Sequence, residues 1–81
     1  SGNLQSGPWV EYYRNRRKKS EGYFTEGLRS GEWRYWFENG QIQAQGQFFA
    51  GNQIQVWRFW NPEGILIGRF DYGGKTPVLL P

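Results

Sequence analysis

Five of the ten basic residues fall in one short run, Arg14-Asn15-Arg16-Arg17-Lys18-Lys19. Cations packed this densely attract anions, either lipid headgroups or nucleic-acid phosphates, and each adds about 1 kcal/mol near an anionic membrane. The neighbouring rings Tyr12, Tyr13 and Tyr23 suit an interfacial or base-stacking role. The plainer alternative is a solvated turn that keeps the chain in solution. A second set is Tyr12, Trp36 and Trp60, spaced 24 residues apart, with Arg34 and Arg58 interleaved. These rings either pack in a core with cation–π contacts along the sheet, or form a shallow aromatic groove. Trp, Tyr and Arg are favoured anchors in protein interfaces, so such a groove would grip a peptide or partner segment. Periodic Trp and Tyr also occur in repeats that bind sugars.

Catalytic chemistry finds little to work with. The chain has no histidine and no cysteine, which removes the commonest general base and the most nucleophilic side chain. The seven acids are scattered, mostly beside turns, and nothing marks Glu11 and Glu32 as a working pair. Gly73-Gly-Lys-Thr echoes the end of a phosphate loop. The full spacing fails because Arg69 stands where the first glycine belongs, and Pro77 blocks the helix that should follow. The expectation is a non-enzyme with no cofactor, no metal and no small-molecule substrate.

The elements that must position these residues follow from a period of 24. Trp33 falls on Trp9 and on Trp57, and Trp36 on Tyr12 and Trp60. Phe48 falls on Phe24, Gly51 on Gly27, Asn39 on Asn15, and Gly40 on Gly64. A fixed period of this length marks a repeat architecture. The third copy reads as two residues shorter in its second half, which makes Phe70 and Gly73 its Phe and Gly. The repeats are then about 7–30, 31–54 and 55–73 of a single domain spanning 1–81, with an apolar tail at 74–81.

Each unit reads as two strands. Trp9 to Arg14 is aromatic and β-branched with no helical period. Asn15-Arg16 and Asn39-Gly40 are the expected turns, and Asn-Gly suggests a type I′ turn with positive φ at both central residues. Ser20 to Thr25 returns, and Glu26-Gly27 turns again. The second unit runs from Glu32 to Phe37 and from Gln41 to Phe49, with a turn at Gly51-Asn52. The third runs from Val56 to Trp60, turns at Asn61-Pro62-Glu63-Gly64, and returns over Ile65 to Tyr72. Gly2 to Trp9 resembles Gly27 to Trp33 with one extra residue, as a lead-in to the first strand.

With no disulfide available, the aromatic residues (five Trp, five Tyr and six Phe) must supply the core. Alternation puts Trp9 and Tyr13, then Trp33, Tyr35 and Phe37, then Trp57 and Phe59 on one face. Tyr12, Trp36 and Trp60 fall on the other, beside Val10, Arg34 and Arg58. One face therefore needs cover from curvature, the tail or another chain. Gly22, Gly46 and Gly68, inside strands, read as seats for large rings on the adjacent strand. Val78, Leu79 and Leu80 either cap the last hairpin or cover a face; otherwise they bind a second copy or a partner, or are disordered.

The unit Trp-x-x-aromatic, an Asn-Gly-type turn, then Gly-x-Phe and a further Gly resembles the MORN repeat. It is most similar to the bacterial variant and to the YwqK-like antitoxin family. Gly31-Glu-Trp-Arg-Tyr-Trp-Phe-Glu-Asn-Gly carries the pattern most fully. Gly7-Pro-Trp-Val-Glu-Tyr-Tyr-Arg-Asn lacks the turn glycine, and Gln55 stands where the third unit's leading glycine belongs. The resemblance covers about residues 7–73. It implies a non-catalytic repeat scaffold, with phospholipid binding, membrane-proximal localisation and protein assembly among the roles of eukaryotic relatives.

The expected fold is all-β: a single-sheet antiparallel meander of three ~24-residue β-hairpin repeats. The expected function is binding of a protein partner through an aromatic sheet face at Tyr12, Trp36, Trp60, Arg34 and Arg58, with self-association as part of it. The alternative is peripheral binding to anionic lipid through Arg14, Arg16, Arg17, Lys18 and Lys19, with nucleic acid ranked below lipid. No apolar run approaches the roughly 20 residues of a membrane span, and a cytoplasmic or membrane-peripheral location is favoured.

Overall fold

A computed structural model describes residues 4–74 and 76–81. Its strands are β1 (Gly7–Tyr12), β2 (Lys18–Thr25), β3 (Leu28–Trp36), β4 (Ile42–Phe49), β5 (Asn52–Trp60), β6 (Leu66–Asp71) and β7 (Val78–Leu80). They form one antiparallel sheet in chain order, β1 to β7, so every strand pairs with its sequence neighbour. The molecule is a slab of 43 × 38 × 12 Å, one layer thick. The strands β1–β2, β3–β4 and β5–β6 are hairpins in the same register 24 residues apart: Trp9 faces Gly22 and Trp33 faces Gly46. A seventh strand joins the expected six because the apolar tail pairs along β6, Leu79 opposite Phe70. Such an arrangement covers an edge that would otherwise expose unpaired backbone groups.

The two ends of the hairpins use different turns. At one end, Tyr13–Arg16, Phe37–Gly40 and Asn61–Gly64 are each closed by a bond from the fourth residue's N–H to the first residue's carbonyl, at 2.9–3.0 Å. Only the fourth residue has positive φ: Arg16 at 72°, Gly40 at 91° and Gly64 at 87°. Asn39 is not in the left-handed region, which corrects the expected type I′ turn at Asn39-Gly40. Its side chain instead organises the tip. Asn39 Oδ1 accepts from the Gln41 N–H, and Nδ2 donates to the Pro62 carbonyl of the next tip. Asn15 does the same with Arg17 and Glu38. Positive φ at both central residues occurs at the opposite end, at Glu26-Gly27 (49° and 83°) and Ala50-Gly51 (50° and 84°). The expected turn at Gly51-Asn52 therefore moves back by one residue, and Asn52 begins β5.

Trp33 and Trp57 are the centre of the core, each 1% exposed although the described residues form a single sheet. Each ring lies over a glycine of the preceding unit. A Cβ on Gly22 would sit 2.1 Å from the Trp33 ring, and one on Gly46 would sit 2.0 Å from the Trp57 ring. Real carbon contacts need about 3.5–4.0 Å, so only glycine fits. Each indole N–H donates to a carbonyl of that same neighbouring strand, Tyr23 and Gln47, at 3.1 Å. Phe24 and Phe48 then close edge-on against Trp33 and Trp57, with centroids 5.3 and 5.1 Å apart. The Arg29 guanidinium lies 5.1 Å over Trp33 and near both phenylalanines. Burial raises the Tyr35 phenol above its ordinary value, with Arg29 opposing.

The third unit departs from the reading of it as two residues shorter. Phe59 faces Gly68, as Tyr35 faces Ala44, and Trp57 faces Phe70, as Trp33 faces Gly46. Tyr72 packs edge-on against Trp57 as Phe48 does against Trp33. Tyr72, not Phe70, is thus the structural counterpart of Phe48, and the period of 24 continues unbroken. Phe70 occupies the glycine-seat position. Gly68 is not a ring seat: a Cβ there would meet only Leu79 at 3.6 Å and Phe70 at 3.9 Å.

Candidate interaction surface

The face opposite the tryptophan core carries two rows that cross the strands. One row lies near the Asn-bearing tips and contains Tyr12 opposite Lys18, Trp36 opposite Ile42, and Trp60 opposite Leu66. Each pair sits beside a β-bulge, where β2, β4 and β6 carry one extra residue. The rings stand on β1, β3 and β5, two strands apart, which places them about 10 Å from one another. Tyr12 is 57% exposed, Leu66 is 45% exposed, and Trp36 and Trp60 are half-buried. None of the three rings belongs to the aromatic core on the other face.

The second row is Val10, Glu21, Arg34, Gln45, Arg58, Arg69 and Leu80, each directly opposite the next. Its first half is a charge network. Arg34 lies 3.1 Å from Glu32 and 3.8 Å from Glu21, and Gln45 Nε2 donates to Glu32. Lys18 bonds Glu21 at 2.6 Å, which raises the lysine above its ordinary value. These groups are exposed to solvent and screened by it, so the pairs orient side chains more than they stabilise the fold. Arg58 and Arg69 face each other as like charges. Arg69 donates to the Pro81 carbonyl, and among the described residues Arg58 has no ion-pair partner.

This geometry revises the interleaving of Arg34 and Arg58 with the ring row. Neither arginine stacks on it; Arg34 turns to its two glutamates instead. The cation over the row is Lys18, whose Nζ lies 5.9 Å from the Trp36 centroid. Its position follows from the bulge that places it opposite Tyr12, which strict alternation does not reveal.

The basic run occupies the first tip and the start of β2, and all of Arg14 to Lys19 is exposed. The five cations do not form one free cluster. Arg17 lies against Gly40 of the next tip, where a Cβ would stand 3.0 Å from its Nη1. Lys18 is held by Glu21, and Lys19 lies 5.6 Å over the Tyr13 ring and 4.0 Å from Glu11. The Tyr13 hydroxyl donates to the Trp36 carbonyl at 2.8 Å, tying the first tip to β3. Arg14 and Arg16 project from the turn.

A hollow at the opposite end of the sheet lay outside the sequence reading. It is lined by Leu4, Leu28 and Phe49 with Thr25, Ser30 and Ala50, and it encloses about 440 Å³. The 24-residue spacing of Leu4 and Leu28 was its available signal. The phosphate-loop echo at Gly73-Gly-Lys-Thr includes Lys75, which lies outside the described residues. Among the described residues, no group of three His, Cys, Asp or Glu side chains could hold a metal ion. No family model matches the chain, and neither a curated protein nor a solved structure matches it.

Proposed function

We propose that this chain is a non-enzymatic interaction module that binds another protein through the face bearing Tyr12, Trp36 and Trp60. One observation carries the reading: three large rings recur at equivalent places on the face that the core does not use. Tyr12 is exposed and Trp36 and Trp60 are only half-buried, and large rings left partly bare in this way are favoured interface anchors. Lys18 over Trp36 and the exposed Arg58 add charge at the rim, where it steers and orients a partner. The resemblance of the units to MORN repeats, and their likeness to the YwqK-like antitoxin family, supports the same non-catalytic role. Self-association of the chain belongs to this reading.

The second reading is peripheral attachment to anionic lipid. It is favoured by one feature, the exposure of every residue from Arg14 to Lys19 on a single tip.

The deciding experiment compares capture from cell extract by the wild-type chain, by a Trp36→Ala/Trp60→Ala variant, and by a variant with Arg14, Arg16, Arg17 and Lys19 changed to Glu, which leaves Lys18 in place. Circular dichroism confirms that each is folded. Partners retained by wild type and by the charge variant, but lost by the ring variant, fit the proposal. Titration with anionic and neutral vesicles at low and high salt runs in parallel. Binding to anionic vesicles alone, weakened by salt and abolished by the charge variant, would replace protein binding with the lipid reading.

A further inference from the structure

An asparagine side chain can react with the backbone that follows it, and its reach depends on the next residue. The nucleophile is that residue's amide nitrogen, so a side chain there hinders the approach and a glycine leaves it open. Asn39 precedes Gly40. By contrast, Asn15 precedes Arg16, Asn52 precedes Gln53, and Asn61 precedes Pro62, which has no N–H at all. Among the described residues, Asn39 alone is primed in this way.

The folded tip holds every reacting group away from the others. The Gly40 N–H donates to the Phe37 carbonyl at 3.0 Å and closes the turn. Asn39 Oδ1 accepts from the Gln41 N–H at 2.9 Å, one residue past the nucleophile. Nδ2, the leaving group, donates to the Pro62 carbonyl of the third tip at 2.8 Å. Asn15 is a matched case inside the same molecule. Arg16 N–H donates to the Tyr13 carbonyl, Asn15 Oδ1 accepts from Arg17, and Nδ2 donates to the Glu38 carbonyl. The two sites share one geometry and one exposure to water, and differ in the residue that follows.

We propose that Asn39 is a deamidation site that the second tip keeps closed, and that its conversion cuts the link from that tip to the third. When the tip opens, the Gly40 nitrogen gives up its proton to hydroxide and bonds to Asn39 Cγ. The Cγ–Nδ2 bond breaks with its electron pair, and the nitrogen takes up a proton and leaves as ammonia. Water then opens the cyclic imide at Cγ, giving aspartate, or at the Asn39 backbone carbonyl, giving isoaspartate. One water is consumed and one ammonia released, and no oxidant or cofactor enters. Neither product has a donor for the Pro62 carbonyl, because an ionised carboxylate only accepts. Isoaspartate also lengthens the backbone within the tip. The lost bond joins the tips that follow Trp36 and Trp60, so conversion loosens the spacing of those two rings. The site itself does not depend on that face binding a partner.

The test incubates the full chain in mildly alkaline buffer, folded and in urea, and follows each asparagine by peptide mapping with mass spectrometry. Asn39 is expected to convert at least about tenfold more slowly in the folded chain, because conversion waits on local opening. Asn15 should stay unconverted in both. An Arg16→Gly chain, with glycine where φ is already 72°, should make Asn15 convert in urea at a rate comparable with Asn39. Hydrogen exchange of an Asn39→Asp chain reads the link between tips. The Gly64 amide, which closes the third tip, should exchange about fivefold faster than in wild type, the factor that one net hydrogen bond corresponds to. The Arg16 amide of the first tip should be unchanged. The proposal is overturned if Asn39 converts equally fast folded and unfolded, or does not convert in urea. Absence of Asn15 conversion in the Arg16→Gly chain overturns it as well, and so does unchanged Gly64 exchange in Asn39→Asp.

Discussion

Gly46→Ala tests the central claim about how a one-layer sheet buries its tryptophans. The added Cβ would stand 2.0 Å from the Trp57 ring, so the ring must move by roughly 1.5–2 Å to reach ordinary carbon contact. That movement lengthens the indole bond to the Gln47 carbonyl beyond hydrogen-bonding range and opens the packing against Phe48, Phe59 and Tyr72. Overpacking in a rigid core costs about 1–3 kcal/mol. Complete expulsion of a ring that buries about 150–250 Å² would cost about 4–6 kcal/mol at 25 cal/mol per Å². We expect a loss near 3 kcal/mol, a large share of the total stability of a domain this size, about 4–12 kcal/mol. Urea unfolding followed by tryptophan fluorescence and far-ultraviolet circular dichroism should then show the midpoint falling by about 2–3 M, for a slope near 1 kcal/mol per M. Gly68→Ala is the matched control. Its Cβ meets nothing closer than 3.6 Å, so its midpoint should shift by less than about 0.5 M. In a Trp57→Leu background, Gly46→Ala should also lose most of its cost, because the two positions share one contact. Equal midpoints for Gly46→Ala and Gly68→Ala, or an unchanged cost in the Trp57→Leu background, would refute the seat.

The remaining predictions concern backbone strain and alkaline pH. Gln55 holds φ at 59° at the position where the other units have Gly7 and Gly31, so Gln55→Gly should raise stability by about 0.5–1 kcal/mol, measured by the same unfolding curves. A decrease would mean that the Gln55 side chain has a role the geometry does not disclose. The Tyr35 phenol and the Lys18 ammonium both have folded-state pKa values raised above their ordinary 10.0 and 10.5. A raised value means the folded state holds its proton more tightly, so this stabilisation is complete below about pH 10 and lost as pH climbs through the folded-state values. Thermal midpoints should fall above about pH 10, and the fall should be shallower in Tyr35→Phe; an unchanged slope would remove Tyr35 as a cause.

The period of 24 was enough to read the meander, because a hairpin unit that repeats in sequence repeats its register as well. The turn glycines and two of the three ring seats were legible for the same reason: Gly22 and Gly46 sit in strands where glycine is otherwise costly. Gly68 misled because aligning it with Gly46 required a two-residue deletion that the backbone does not make. The register places Phe70 there instead, and a large ring in a seat position gives no warning in sequence. Arg34 and Arg58 alternate onto the predicted face, but Arg34 turns to Glu32 on its own strand and to Glu21, which β2 brings opposite it beside a bulge. Bulges shift one residue at a time, and alternation alone cannot locate them. The same blindness hid Lys18 behind the larger signal of its basic run.

The bonds from Asn15 and Asn39 to the next tip, with Trp33 and Trp57 seated on the previous unit, bear on how the chain reaches this state. Each hairpin holds part of its neighbour's interior, so an isolated unit would be incomplete, and stability must be shared along the row as in other linear arrays. Yet among the described residues no strand pairs beyond its immediate neighbours in the chain. The loops closed during folding are therefore only as long as one hairpin or one joint, and closure entropy grows slowly at such lengths. Most all-β domains fold slowly because distant segments must find each other. Here, one formed hairpin presents an edge and a glycine to the next, and order can spread outward from any pair that forms first.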